Sequence, residues 1–145
     1  MIPLEQFICD TCNQIIENYG DGAIEWISPS DENGKQLPPN SFRICHKNSN
    51  CYSIYKKVAF GVSRELVNFS DKMKIIELLG MIDKEYFPFD QNSLNEYIEL
   101  FRRLTIPYYE EARQYWHEAD NEGLIENKIT CYQENNLEKI INRFK

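Results

Sequence analysis

The feature that most constrains this chain is a split set of cysteines. Cys9 and Cys12 stand as C-x2-C within FICDTCNQ, and after residues 13–44 the segment CHKNSNC adds Cys45, His46 and Cys51 as C-H-x4-C. A C-x-x-C turn aims two thiolates at one point, and a second pair brought opposite completes four tetrahedral nitrogen or sulfur ligands. The second segment needs to supply only two of its three candidates. His46 with Cys51, giving three cysteines and one histidine, is the expected set, because His46 ends its strand and faces away from Cys45. Cys45 in place of His46, giving an all-cysteine site, is the alternative. The ion expected is Zn2+ in a structural role, since four protein ligands leave no position for water or substrate. A redox use of Cys9 and Cys12 would call for a helix N-terminus to lower the thiol pKa, and FICDTCNQ carries no helical pattern.

The segments between the cysteines read as strands and turns. NYGDG (18–22) is a turn signal. AIEWIS (23–28) alternates with Ile24 and Trp26 on one face. PSDENGKQLPPNS (29–41) is a polar loop. FRICH (42–46) puts Phe42, Ile44 and His46 on one face and Arg43 and Cys45 on the other. The two strands are expected to form a hairpin with a long loop. FICDTCNQ together with AIEWIS and FRICHKNSNCY resembles a zinc-ribbon or treble-clef-like unit over roughly residues 7–52, of the kind found in small bacterial or phage proteins. The resemblance implies a zinc-stapled hairpin, and such units serve many functions.

From about residue 63 the period becomes helical. SDKMKIIELLGMID (70–83) places Met73, Ile76, Leu79 and Ile82 on one stripe with Ser70 as N-cap. SLNEYIELFRRL (93–104) opens with Ser93 and Glu96 as a capping box and carries Leu94, Tyr97, Ile98, Phe101 and Leu104. Pro107 ends that helix and begins another, which runs to Gly123. On it Tyr109 and Trp116 fall off the main stripe and are the aromatics expected at the surface. Glu110, Glu111, Glu118, Asp120 and Glu122 form an acidic face. KITCY reads as a short strand. NLEKIINRF closes the chain with Leu137, Ile140, Ile141 and Phe144 on one stripe, and Asn135 with Glu138 as a capping pair. The expectation is an α+β protein: a zinc-binding β-rich unit over 1–60, then a helical region over 61–145 that shares its core.

The charge balance narrows the partners. The chain has 16 Lys and Arg against 23 Asp and Glu, a net charge of −7. Such a surface repels nucleic acid unless a local basic face exists, and Lys47, Lys56 and Lys57 are the nearest approach to one. No apolar run approaches the ~18 residues of a membrane helix, and the opening MIPLEQFICD lacks the charged and apolar regions of a signal peptide. A reducing cytoplasmic setting follows, in which cysteines bind metal or stay as thiols. His117 and Glu118 suggest a zincin helix, but Asn121 stands where its second histidine would be. His46, Asn48 and Asn50 suggest a ββα-type metal nuclease, and the single histidine there argues against it. With no catalytic constellation left, the expectation is a non-catalytic protein-interaction or regulatory protein. A metal-dependent nuclease and a ribbon-type nucleic-acid binder are the alternatives.

Overall fold

The computed structural model describes residues 1–52, 59–71, 73–82 and 88–145, with only the backbone of Met73 described. Antiparallel strands dominate the N-terminal half and helices the C-terminal half, an α+β architecture. Strands β1 (Phe7–Ile8) and β2 (Ile15–Ile16) pair as a small hairpin whose loop carries Cys9 and Cys12. Asn13 turns that loop with a φ of 56°, a left-handed conformation that asparagine accepts more readily than most residues.

Strand β3 (Gly22–Ile27) is the centre of a three-stranded sheet, flanked by β4 (Asn40–His46) and β5 (Gly61–Glu65). A central strand is covered on both faces, so every residue from Gly22 to Trp26 is buried. Gly22 is needed there for space. A Cβ at this position would lie 2.6 Å from Leu66 Cδ2 and 3.1 Å from Ile16 Cγ2. β3 and β4 form the hairpin read from the sequence, with a register shift between Glu25 and Ile27. The expectation of helix from about residue 63 is corrected: Gly61–Glu65 pairs with β3 from Ile27↔Gly61 to Ala23↔Glu65. The segment GVSRE is too short and polar to announce a strand. The second edge of β3 recruits it.

Helix α1 (Met73–Met81) forms inside the expected span, but with another face inward. Leu78 and Met81 are buried, whereas Ile76 and Leu79 are 60% and 58% exposed and Ile82 is exposed with them. The helix offers two apolar faces, and its neighbours choose between them: the Tyr97 hydroxyl donates to the Leu78 carbonyl. The Ser70 hydroxyl donates to the Val67 carbonyl and closes the preceding 3-10 turn Leu66–Phe69. Residue 72, near the expected start of this helix, and its expected end at residue 83 lie outside the described residues.

Helix α2 (Gln91–Thr105) begins earlier than read from the sequence. Its capping box joins Asp90 to Ser93, each side chain accepting from the other's backbone N–H, and Glu96 instead accepts from the Phe42 N–H. Tyr97, Leu100 and Leu104 face the core, with Ser93 and Arg103 also buried and Ile98 exposed. Beyond Pro107 there is no single helix to Gly123. Instead α3 (Tyr109–Ala112), a 3-10 turn and α4 (Trp116–Asn121) follow one another. Gly123, at φ +71°, ends the run as expected. KITCY is no strand, because Asn127 Oδ1 accepts from the N–H groups of Ile129 and Thr130 and settles locally the donors a strand would present. Helix α5 (Glu134–Phe144) buries Leu137, Ile140 and Ile141 as its period predicts, but its cap is Gln133 rather than Asn135.

Two apolar clusters result. One gathers Trp26, Ile44, Leu66, Leu78, Tyr97 and Leu104 from the sheet and the helices that cover it. The other packs α3, α4 and α5 around Tyr109, Ala112, Leu137 and Ile140. Tyr109 and Trp116 belong to this second cluster, which corrects their expected exposure: Tyr109 is buried, and Trp116 is half-buried and stacked on Tyr132 at 5.5 Å. The acidic face is corrected in part. Glu110 is buried and Glu111 pairs with the N-terminal amine and Lys145, while Glu118, Asp120 and Glu122 stay exposed. Among the described residues no helix is long and apolar enough to cross a membrane.

Candidate metal centre

The loop of the β1–β2 hairpin docks against the outer edge of β4. Asp10 N–H donates to the Ile44 carbonyl at 2.8 Å, and its carboxylate accepts from the Ile44 N–H at 2.7 Å. Further along the same edge, the His46 N–H points at the Cys9 sulfur, 3.4 Å away. An edge strand leaves its backbone groups without a partner, and here the cysteine loop takes them up.

This docking brings four side chains together. The ligand atoms of Cys9, Cys12, His46 and Cys51 all lie within 4.8 Å of one another, so the group could hold a metal ion. Tetrahedral zinc with sulfur at about 2.3 Å separates neighbouring ligand atoms by about 3.8 Å, which fits a cluster of this size. Cys45 is not part of the group. It is buried on the opposite face of β4, where burial and the neighbouring Glu25 carboxylate push its thiol pKa well up. The redox arrangement is not formed either, since Cys9 and Cys12 sit in a turn between two strands and not at a helix N-terminus.

The electrostatics around the sulfurs differ from one to the next. Burial raises the Cys9 thiol, but the backbone N–H groups of Cys12, His46 and Thr11 outweigh it and bring the pKa down to about 6. Such donors favour the thiolate, the form that ligates metal. Cys51 is pushed up to about 11 by burial and by the adjacent Cys12 and Cys9. Without a cation, sulfurs this close cannot all ionise cheaply. His46 is held at both nitrogens. Nε2 lies 3.2 Å from the Ile15 carbonyl, which can only accept, so in the neutral imidazole Nε2 carries the proton and the Nδ1 lone pair faces Cys12 Sγ at 3.4 Å. Fixing the tautomer through the far nitrogen is how ligating histidines are commonly held.

Sequence reasoning missed the residues that support this cluster. Arg43 donates to Thr11 Oγ1 and to the Cys51 carbonyl, both at 2.9 Å, and so ties the two ligand loops to each other. Its other contacts go to Glu25 at 2.9 and 2.6 Å, a carboxylate buried completely inside the sheet. Asn48 closes the second loop by accepting from the N–H groups of Asn50 and Cys51. Asp10, inside the C-x-x-C, pairs with Arg103 at 2.6 Å and Arg113 at 3.1 Å. The signal that could have found Arg43 and Glu25 is their opposition across β3 and β4, legible once the register is known.

His117 is not brought to this centre. His117 Nε2 lies 3.2 Å from Asn121 Nδ2 on exposed α4. Lys47 pairs with Glu65 at 2.7 Å, and Lys56 and Lys57 lie outside the described residues. Comparison of the chain with protein families, with curated proteins and with solved structures finds no match.

Proposed function

We propose that Cys9, Cys12, Cys51 and His46 Nδ1 hold one Zn2+ as a structural clip, in a protein that works by binding another protein. The observation that carries the first half is the gathering of three thiols and one imidazole with ligand atoms within 4.8 Å, the His46 N–H aimed at the Cys9 sulfur at 3.4 Å. A loop bonded in this way is pre-shaped for a metal, and four protein donors leave no open position for chemistry. Both nitrogens of His46 are engaged and Asn48 is occupied by its own loop, which weighs against a histidine-based nuclease. The paired state of Lys47 and the net charge of −7 weigh against nucleic acid. The apolar side chains on the outer face of α1 support a protein partner.

The test is metal content by elemental analysis on protein purified without added metal, with urea unfolding before and after chelation followed by circular dichroism. One zinc per chain and a lower unfolding midpoint on its removal support the clip. Absence of metal from protein kept reduced throughout overturns it. Magnesium-dependent nicking of DNA, or retention of DNA or RNA at low salt, would overturn the non-catalytic protein-binding half.

A further inference from the structure

Asp10 is not among the four candidate ligands, yet it is the residue through which the cysteine loop meets the helices. Its Oδ2 accepts from Ile44 N–H at 2.7 Å and from Arg103 Nη1 at 2.6 Å, and its Oδ1 from Arg113 Nη2 at 3.1 Å. Arg103, on α2, is only 4% exposed. Its remaining donors reach Glu110 of α3 at 2.7 and 2.8 Å and the Ile8 carbonyl at 2.9 Å. Glu110 in turn accepts from the Ile8 N–H at 2.8 Å. One buried ion group from α2 and α3 therefore grips the chain at Ile8 and at Asp10, on both sides of Cys9.

We propose that Asp10 is a positioning residue for the metal, and that its clamp by Arg103 makes metal occupancy and the docking of α2 and α3 on the cysteine loop mutually dependent. The inference rests on the metal reading of the cluster. The His46 N–H reaches the Cys9 sulfur at 3.4 Å only while the loop stays on the edge of β4, and the residues on either side of Cys9, Ile8 and Asp10, are the ones the arginine holds. A buried guanidinium that loses a carboxylate leaves donors unpaired in a dry site, so the clamp is either made as a whole or released. Coupling of this kind is reciprocal: whatever the clamp contributes to metal affinity, the metal contributes to the clamp. The helical half would then sense whether the clip is loaded.

The experiment measures zinc affinity by chelator competition, and amide exchange over residues 103–113 with and without metal. It uses the full chain as wild type, Asp10→Asn, Arg103→Lys and Arg113→Gln, each checked for fold by circular dichroism. Asp10→Asn and Arg103→Lys are expected to weaken zinc binding roughly 10–100-fold, the usual effect of losing an outer-shell partner. Arg113→Gln, which removes the longer contact to Asp10 and one of the contacts to Glu110, is expected to weaken it a few-fold. In wild type, metal removal speeds exchange over 103–113, and in folded Asp10→Asn it does not. Zinc affinity within twofold of wild type in folded Asp10→Asn, or exchange over 103–113 indifferent to metal in wild type, overturns the proposal. A merely structural Asp10 would lower the unfolding midpoint of metal-free protein and leave the affinity alone. Should the first two variants not fold, Arg113→Gln and the wild-type exchange decide. A wild type that binds no zinc is a different result, which overturns the metal reading itself.

Discussion

The Nδ1 of His46 faces the sulfur of Cys12 across 3.4 Å. The two residues come from a loop and from the end of a strand, and their approach is what a shared cation would require. Replacing either is expected to abolish stoichiometric zinc binding: His46→Ala and Cys12→Ser, purified without added metal, should each carry well under one zinc per chain. Cys45→Ser, on the opposite face of β4, should keep it. Elemental analysis of the three variants checks this. Metal retained in His46→Ala and lost in Cys45→Ser would reverse the assignment in favour of the all-cysteine set.

Metal binding should also release protons in a predictable way. Ligands bind as their deprotonated forms. At pH 7.5 Cys9, with its pKa at about 6, is already a thiolate, whereas Cys51, at about 11, must give up a proton to bind. Titration calorimetry in buffers of different ionisation enthalpy should therefore show net proton release at pH 7.5. The sign for affinity follows. Zinc affinity falls as pH falls, and falls more steeply below about 6, where Cys9 protonates as well. Affinity independent of pH between 5 and 7.5 would contradict the assignment.

Arg43→Ala should be among the most damaging single changes. It leaves Glu25, which is fully buried, without its cation, and it removes the tie between Thr11 and the Cys51 carbonyl. Breaking a buried pair from one side costs about 3–5 kcal/mol. Urea unfolding of zinc-loaded protein measures the loss. Removing both partners together, as Arg43→Met with Glu25→Leu, should cost less than Arg43→Ala alone.

The cap of α2 gives a pH-dependent prediction. The Ser93 N–H and hydroxyl hold the Asp90 carboxyl below the ordinary carboxylate range. A depressed folded pKa contributes stability that is present above the unfolded value and lost as pH falls through the folded one. Asp90→Ala is therefore expected to lower the urea midpoint at pH 7 with the slope unchanged. The difference from wild type should shrink as pH is taken below the usual carboxylate value. An equal deficit at pH 7 and at acid pH would mean the charge is not what caps the helix.

The two faces of α1 can be told apart by substitution. Leu78→Ala should cost about 2–5 kcal/mol, the range for truncating a buried leucine. Ile76→Lys and Leu79→Lys should shift stability by no more than about 0.5 kcal/mol, since both side chains already face outward. Chemical denaturation of the three variants settles which face is buried. A large loss in Ile76→Lys would restore the stripe of Ile76, Leu79 and Ile82 as the core face.

Elements whose pattern is strong and local are legible in the sequence. The β3–β4 hairpin announces itself by alternation, and α5 by Leu137, Ile140, Ile141 and Phe144 at helical spacing. The Gly123 stop follows from a conformation that glycine adopts freely. Elements that borrow their stability from neighbours are not legible there. β5 exists because β3 has an edge to fill, α1 turns a different face inward to meet Tyr97, and KITCY becomes a turn because Asn127 reaches its donors first.

The candidate site divides in the same way. Residue chemistry and spacing alone determined that Cys9, Cys12 and two of Cys45, His46 and Cys51 are the metal candidates, because few other side chains bind metal and a C-x-x-C turn is a local structure. Alternation along β4 already favours His46 over Cys45, and only the tertiary structure brings His46 to Cys9, Cys12 and Cys51, since that meeting depends on where the cysteine loop docks along the edge of β4. It also decided that Glu110, which reads as one more solvated carboxylate, is buried against Arg103 and Arg113. That buried charge is held by partners as far as 102 residues away in the chain, and no local pattern in the sequence encodes such a meeting.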